Sequence, residues 1–198
     1  GKEYETKHYI DGIVVAEYNF FSTKQWTRKL GVSDNDSVYG IATDATGNIY
    51  ITGSTLGGLD GHKNKGGECW GETREEIEPC EDTILVKFDS SGAKQWTRQF
   101  GIIGDDSGFG VATDNLGNIY VTGRTLGGLD GNHNYGFYDI YLVKFNSFGK
   151  KLWTRQLGTS HYEGGKDVAT DYYGNIYVTG TTWGVLDGKK NSEDFDIF

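Results

Sequence analysis

Cys69 and Cys80 are the only cysteines in the 198-residue chain, and the stretch they bracket holds its single proline, Pro79. With no C-x-x-C spacing and no paired histidines, they point to a disulfide closing a surface loop rather than to zinc, and so to an oxidising compartment. The bracketed segment is rich in glutamate and carries Trp70 beside the first cysteine. A pinned acidic loop of this kind is a candidate contact surface, with Trp70, Glu75 and Glu76 as its binding residues. Trp183 is a further aromatic of the same rim, suited either to stacking on a sugar or to packing on a neighbouring element. A second candidate chemistry is calcium. Asp130, Asn132 and Asn134 place oxygen-bearing side chains at alternate positions, and Asp139 is near enough in sequence to add a ligand. The equivalent stretch Asp187-Gly188-Lys189-Lys190-Asn191 puts a cation where a ligand should be, and Asp60-Gly61-His62-Lys63-Asn64 is little better. Asx turns therefore compete with metal binding as the reason for these residues.

Catalytic constellations are missing. There is no G-x-S-x-G elbow, no HExxH, no phosphate-binding glycine loop, and His8, His62, His133 and His161 are scattered. Carboxylate pairs at Asp34/Asp36 and Asp105-Asp106 fall in equivalent loops and read as solvated turns. The formal net charge of −9 argues against nucleic acid or an anionic membrane as partner. No apolar run is long enough to insert directly into a membrane as a helix. No signal peptide is visible at Gly1-Lys2-Glu3-Tyr4-Glu5.

The elements that position these residues come in copies. Lys24-Gln25-Trp26-Thr27-Arg28 returns as Lys94-Gln95-Trp96-Thr97-Arg98 and as Lys151-Leu152-Trp153-Thr154-Arg155. The segment Ile41-Ala42-Thr43-Asp44-Ala45-Thr46-Gly47-Asn48-Ile49-Tyr50-Ile51-Thr52-Gly53 recurs from Val111 to Gly123 and from Val168 to Gly180. Asp82–Phe88 recurs at Asp139–Phe145 and begins again at Asp196. Trp96 and Trp153 are 57 residues apart; Trp26 and Trp96 are 70 apart, the excess lying between Leu59 and Asp82. Each unit reads as four short strands, for example 39–43, 49–52, 82–88 and 95–100, with Asp-x-x-Gly-Asn hairpins and no helical periodicity. High glycine and aromatic content, 31 Gly with 13 Tyr, 10 Phe and 5 Trp, fits short strands and tight turns. Four antiparallel strands per repeat of this length predict an all-β propeller, since a lone four-stranded sheet leaves its faces uncovered until blades stack. The repeated Trp26, Trp96 and Trp153 are expected to pack between blades, with Arg28, Arg98 and Arg155 covering the rings or pairing with acidic neighbours.

Val-Ala-Thr-Asp-x-x-Gly-Asn-Ile-Tyr-Val-Thr-Gly, Leu-Asp-Gly-x-x-Asn, Asp-Ile-x-Leu-Val-Lys-Phe and Trp-Thr-Arg-Gln-x-Gly together resemble the bacterial SBBP β-propeller repeat family over about residues 11–198. The first two strands are also similar to those of NHL repeats, which implies that the Ile41-type strand is innermost. On that basis residues 1–10 are an extension and 11–31 the outer strands of a split blade. Residues 32–101 are a blade with the insertion 60–81, 102–158 a second blade, and 159–198 the inner strands of a further blade reaching only its third strand. That is about three blades' worth, so the ring is expected to be completed by further chain or by oligomerisation, including a homo-oligomer. The resemblance implies a secreted or surface-exposed bacterial protein with no general catalytic assignment. The leading expectation is a non-enzymatic scaffold whose partner is a protein or the remaining blades. Carbohydrate binding is the alternative, and a share in an enzyme with catalytic residues elsewhere is the third. Apart from calcium, no cofactor is expected.

Overall fold

The computed structural model describes residues 12–30, 36–70, 77–186, 188 and 196–197. It is all-β, built from antiparallel sheets in the order of the repeats. Strands β1 (Ile13–Tyr18) and β2 (Lys24–Leu30) form a hairpin. The first four-stranded blade runs β3 (Asp36–Thr43), β4 (Ile49–Thr55), β7 (Asp82–Phe88) and β8 (Lys94–Phe100). Between β4 and β7 a small hairpin, β5 (Glu68–Trp70) and β6 (Ile77–Pro79), accounts for part of the insertion. The second blade is β9 (Asp106–Thr113), β10 (Ile119–Thr125), β11 (Asp139–Phe145) and β12 (Lys151–Leu157). Strands β13 (Glu163–Thr170), β14 (Ile176–Thr182) and the short β15 (Asp196–Ile197) make a three-stranded sheet. The N-terminal extension 1–10 lies outside the described residues, and the described sheets do not close into a ring.

The repeated turn motif has a direct chemical reason. Asp44 Oδ1 accepts from the backbone N–H of Thr46 and Asn48, while Oδ2 accepts from Asn48 Nδ2 and the Tyr50 hydroxyl. Asp114 does the same with Asn118 and Tyr120, and Asp171 with Asn175 and Tyr177. Gly47, Gly117 and Gly174 take the positive φ (81°, 75° and 88°) that ends each turn. One motif thus ties strand one to strand two.

Blades stack through their faces. Ile13 and Val15 of the N-terminal hairpin are buried with Ile51, Ile84, Val86 and Phe88 of the first blade. Leu85 and Phe100 of that blade are buried with Val111, Val121 and Val143 of the second. Because this blade is covered on both sides, both faces of β7 are core: Ile84, Leu85 and Val86 are all fully buried. The strands β3, β9 and β13 are the first strands of their sheets and lie side by side. Their backbones touch at glycine. A Cβ on Gly40 would stand 2.7 Å from the Phe109 carbonyl oxygen, and one on Gly110 would stand 2.7 Å from Asp167 Cα.

Trp26 lies against Gly92 of the next blade, where a Cβ would meet its ring at 2.8 Å. The arginines cover the rings, with Arg28 Cζ 5.2 Å and Arg98 Cζ 4.9 Å from the indole centroids. Their polar partners are backbone carbonyls, not carboxylates. Arg28 donates to the Gly92 and Ser91 carbonyls, and Arg98 to those of Gly149 and Phe148, each reaching the outer turn of the following blade. Of the two expected roles the arginines take the first, covering the rings, and a turn carbonyl that no strand satisfies supplies the acceptor.

The solvated reading of the inter-blade carboxylates is also corrected. Asp36 and Asp106 open the inner strands and are buried, Asp106 completely. Asp106 accepts from the Ile102 N–H, and a Cβ on Gly101 would fall within 2.7 Å of both its Oδ2 and Asp82 Oδ1. The loop folds back over the pair, so stacking of the next blade removes them from water. Asp34 lies outside the described residues.

Candidate binding surface at the loop end

Antiparallel order puts the connections β4–β7, β8–β9, β10–β11 and β12–β13 at one end of the blades. The copies differ most there. Cys69 and Cys80 form a disulfide with Cα atoms 5.1 Å apart, which leaves neither sulfur as a thiolate for zinc. Asp105 sits beside it. Its Oδ1 is 3.6 Å from Cys69 Sγ and accepts from the Glu81 N–H, while its Oδ2 accepts from the Tyr138 hydroxyl at 3.0 Å. Burial and the neighbouring Asp105 charge raise the Tyr138 hydroxyl above the usual phenol range, so it stays protonated and donating.

From Tyr138 the contacts run into an aromatic cluster. Tyr138 is 5.6 Å from Tyr162, which stacks on Phe137 at 4.9 Å with planes 5° apart and meets Trp183 at 5.0 Å. Phe137 is 55% and Trp183 43% exposed, so the cluster presents apolar ring area to solvent. Two backbone bonds fix it: Glu163 N–H donates to the Tyr138 carbonyl and Trp183 N–H to that of Tyr162. Trp183, expected either to bind or to pack, therefore packs against the second blade's outgoing loop and remains partly exposed. Trp70 is paired in β5 opposite Ile77, but its side chain lies outside the described residues, as do Glu75 and Glu76.

The calcium candidates have separate surroundings. Asp130 occupies a 3-10 turn at φ 53°, and its carboxylate takes Lys151 and the Thr154 hydroxyl. Asp60 repeats this with Lys94 and Thr97. Burial opposes the charge, yet the lysine and hydroxyl partners hold both carboxyls below the usual range. Asp139 is fully buried, where its Oδ2 accepts from Gln156 and the Tyr135 N–H. Asn132 donates to the Leu129 carbonyl, and Asn134 to those of Leu126 and Phe137. Each of the four is engaged in holding the loop. The turn places Leu129 N–H on Gln156 as Leu59 N–H is on Gln99, so the motif is framework in both copies.

A second set of residues was not legible in the sequence. The register shifts by one at Tyr39, Phe109 and Lys166, leaving each as the unpaired residue of a β-bulge on an inner strand. Bulges re-aim side chains, and here they bring three successive blades into contact. Tyr39 and Phe109 are 5.2 Å apart, and Lys166 Nζ lies 4.9 Å from the Phe109 ring. Arg124 of β10 is inserted between Phe109 (5.6 Å) and Tyr138 (4.4 Å). The signal available was their failure to repeat: Arg124 corresponds to Ser54 and Thr181, and Lys166 to Tyr39 and Phe109.

A family model described as a β-propeller repeat matches residues 25–60, 95–130 and 152–187, more than half of the chain. The chain is 27% identical over 166 residues to the regulatory protein FlaEY of Caulobacter vibrioides, covering 80% of this chain and 17% of that protein. It is 24% identical over 164 residues to an uncharacterized WD repeat-containing protein of Acanthamoeba polyphaga mimivirus, covering 75% of this chain and 12% of that one. The chain therefore spans less than a fifth of either relative.

Proposed function

The chain belongs to the SBBP β-propeller repeat family, and on that premise we propose that it is a non-catalytic scaffold holding a partner protein on its loop end. The observation that carries this reading is the exposed Phe137–Tyr162–Trp183 cluster, joined through Tyr138 and Asp105 to the disulfide-pinned hairpin. Aromatic rings on a rigid framework give large contact area at low entropic cost, the usual make-up of an interface centre. The names of the relatives, a regulatory protein and a WD repeat-containing protein, fit a binding role. The Cys69–Cys80 bond supports placement in an oxidising compartment, outside the cell or on its surface.

The test compares two variants of the intact chain as bait in cross-linking and affinity capture. One carries Phe137→Ser and Trp183→Ser; the other carries Leu116→Ser and Tyr172→Ser in the exposed turns at the opposite end. A partner protein retained by the second and lost by the first is the expected result. Loss by both or by neither overturns the assignment. The near-parallel Phe137 and Tyr162 rings beside Trp183 also favour a second reading, in which the ligand is a sugar. Glycan-array binding that disappears with the first variant, without any protein captured, would select it.

A further inference from the structure

We infer that Arg124 of the second blade and Lys166 of the three-stranded sheet form a binding site for an oxyanion group, carboxylate or phosphate, around the Phe109 ring. The reading is independent of whether the aromatic rim binds a protein. Arg124 is half-buried between the Phe109 and Tyr138 rings, and its Nε is out of contact with solvent with no hydrogen-bond partner. Among the described residues its guanidinium makes no hydrogen bond or ion pair. Four other cations of the described chain do find acceptors: Lys94 takes Asp60, Lys151 takes Asp130, and Arg28 and Arg98 take turn carbonyls. A guanidinium fixed by two rings, with no acceptor among the described residues, keeps its donors uncommitted for a planar or tetrahedral anion.

The second cation comes from a different blade. The bulge on β13 turns Lys166 toward the same Phe109 ring that Arg124 covers, and Lys166 likewise makes no hydrogen bond or ion pair with a described residue. Nearby carboxylates are committed elsewhere: Asp105 to Tyr138 and the Glu81 N–H, Asp167 to the Val168 N–H. Neither cation repeats. In the copies their places are taken by Ser54 and Thr181, and by Tyr39 and Phe109, so neither serves the blade framework. In a chain of net charge −9, two non-repeated cations meet at one ring without hydrogen-bond acceptors among the described residues.

The experiment follows the Arg124 Nε–H signal in proton–nitrogen spectra of the full chain, identified by its loss in Arg124→Lys. Sodium phosphate and sodium glucuronate are titrated separately, with ionic strength held constant by sodium chloride. A saturable shift with phosphate alone, glucuronate alone or both is expected, and the pattern names the source of the anion. Lys166→Gln, on an exposed bulge, should weaken the effect by about tenfold with an unchanged Tm. A linear drift that matches chloride, or binding unaltered by Lys166→Gln, would overturn the site. If Arg124→Lys folds poorly, the signal is assigned instead by through-bond correlation to the Arg124 backbone, and Lys166→Gln still decides the matter.

Discussion

Gly110 sits where β9 and β13 come closest, and no side chain fits between its Cα and the Asp167 backbone. Gly110→Ala should therefore cost about 1–3 kcal/mol in urea denaturation, because backbone on both sides must move. An unchanged midpoint would mean that the blades are spaced more loosely than described. The sequence shows Gly40 and Gly110 in equivalent places, but not why, since the clash partner is more than fifty residues away. Asp44, Asn48 and Tyr50 were legible because their bonds are local. Asp106 was misread for the opposite reason: its burial depends on the chain folding back across Gly101 onto Asp82. Phe109 and Lys166 were hidden because a bulge leaves no mark in an alternating pattern.

At the scale of elements, four strands per copy, their order and their turns followed from the repeat, while their lengths did not. Strand β3 starts at Asp36 and β4 runs to Thr55, further than the apolar residues alone suggest, because Thr52, Ser54 and Thr55 are buried polar residues inside the stack. The hairpin β5–β6 was not expected inside the insertion, where only the cysteines and the acidic character were legible. The bond between Cys69 and Cys80 closes this element over a separation of 11 residues. Its removal by Cys69→Ser with Cys80→Ser should lower stability by about 2–3 kcal/mol, read from chemical denaturation. Alkylation of the native protein without reductant should label no thiol. Two labelled thiols would contradict the described pairing.

The whole molecule is a stack of blades whose junctions bury acid. Burial, reinforced by the charges of Asp82 and Asp105, pushes Asp106 up to about 7 even though the Thr125 hydroxyl and Ile102 N–H favour its charge. Burial also raises Asp82 and Asp139 above the usual range. Since the fold prefers protonated Asp106, its stabilising contribution is full below about pH 4 and is lost as pH climbs through about 7. Stability should fall by on the order of 2–4 kcal/mol between about pH 4 and 8, and Asp106→Asn should flatten most of that fall in Tm measurements. A fall of equal size in the variant would place its origin elsewhere. The guanidinium-to-turn bonds across the junctions carry another consequence, for the order of synthesis. Arg28 precedes its acceptor Gly92 by 64 residues, and Arg98 precedes Gly149 by 51. Both bonds point the same way, so during translation the donor leaves the ribosome before its acceptor. Every newly made blade then docks onto a predecessor already equipped to receive it, and the growing chain can add blades in the order in which they are written.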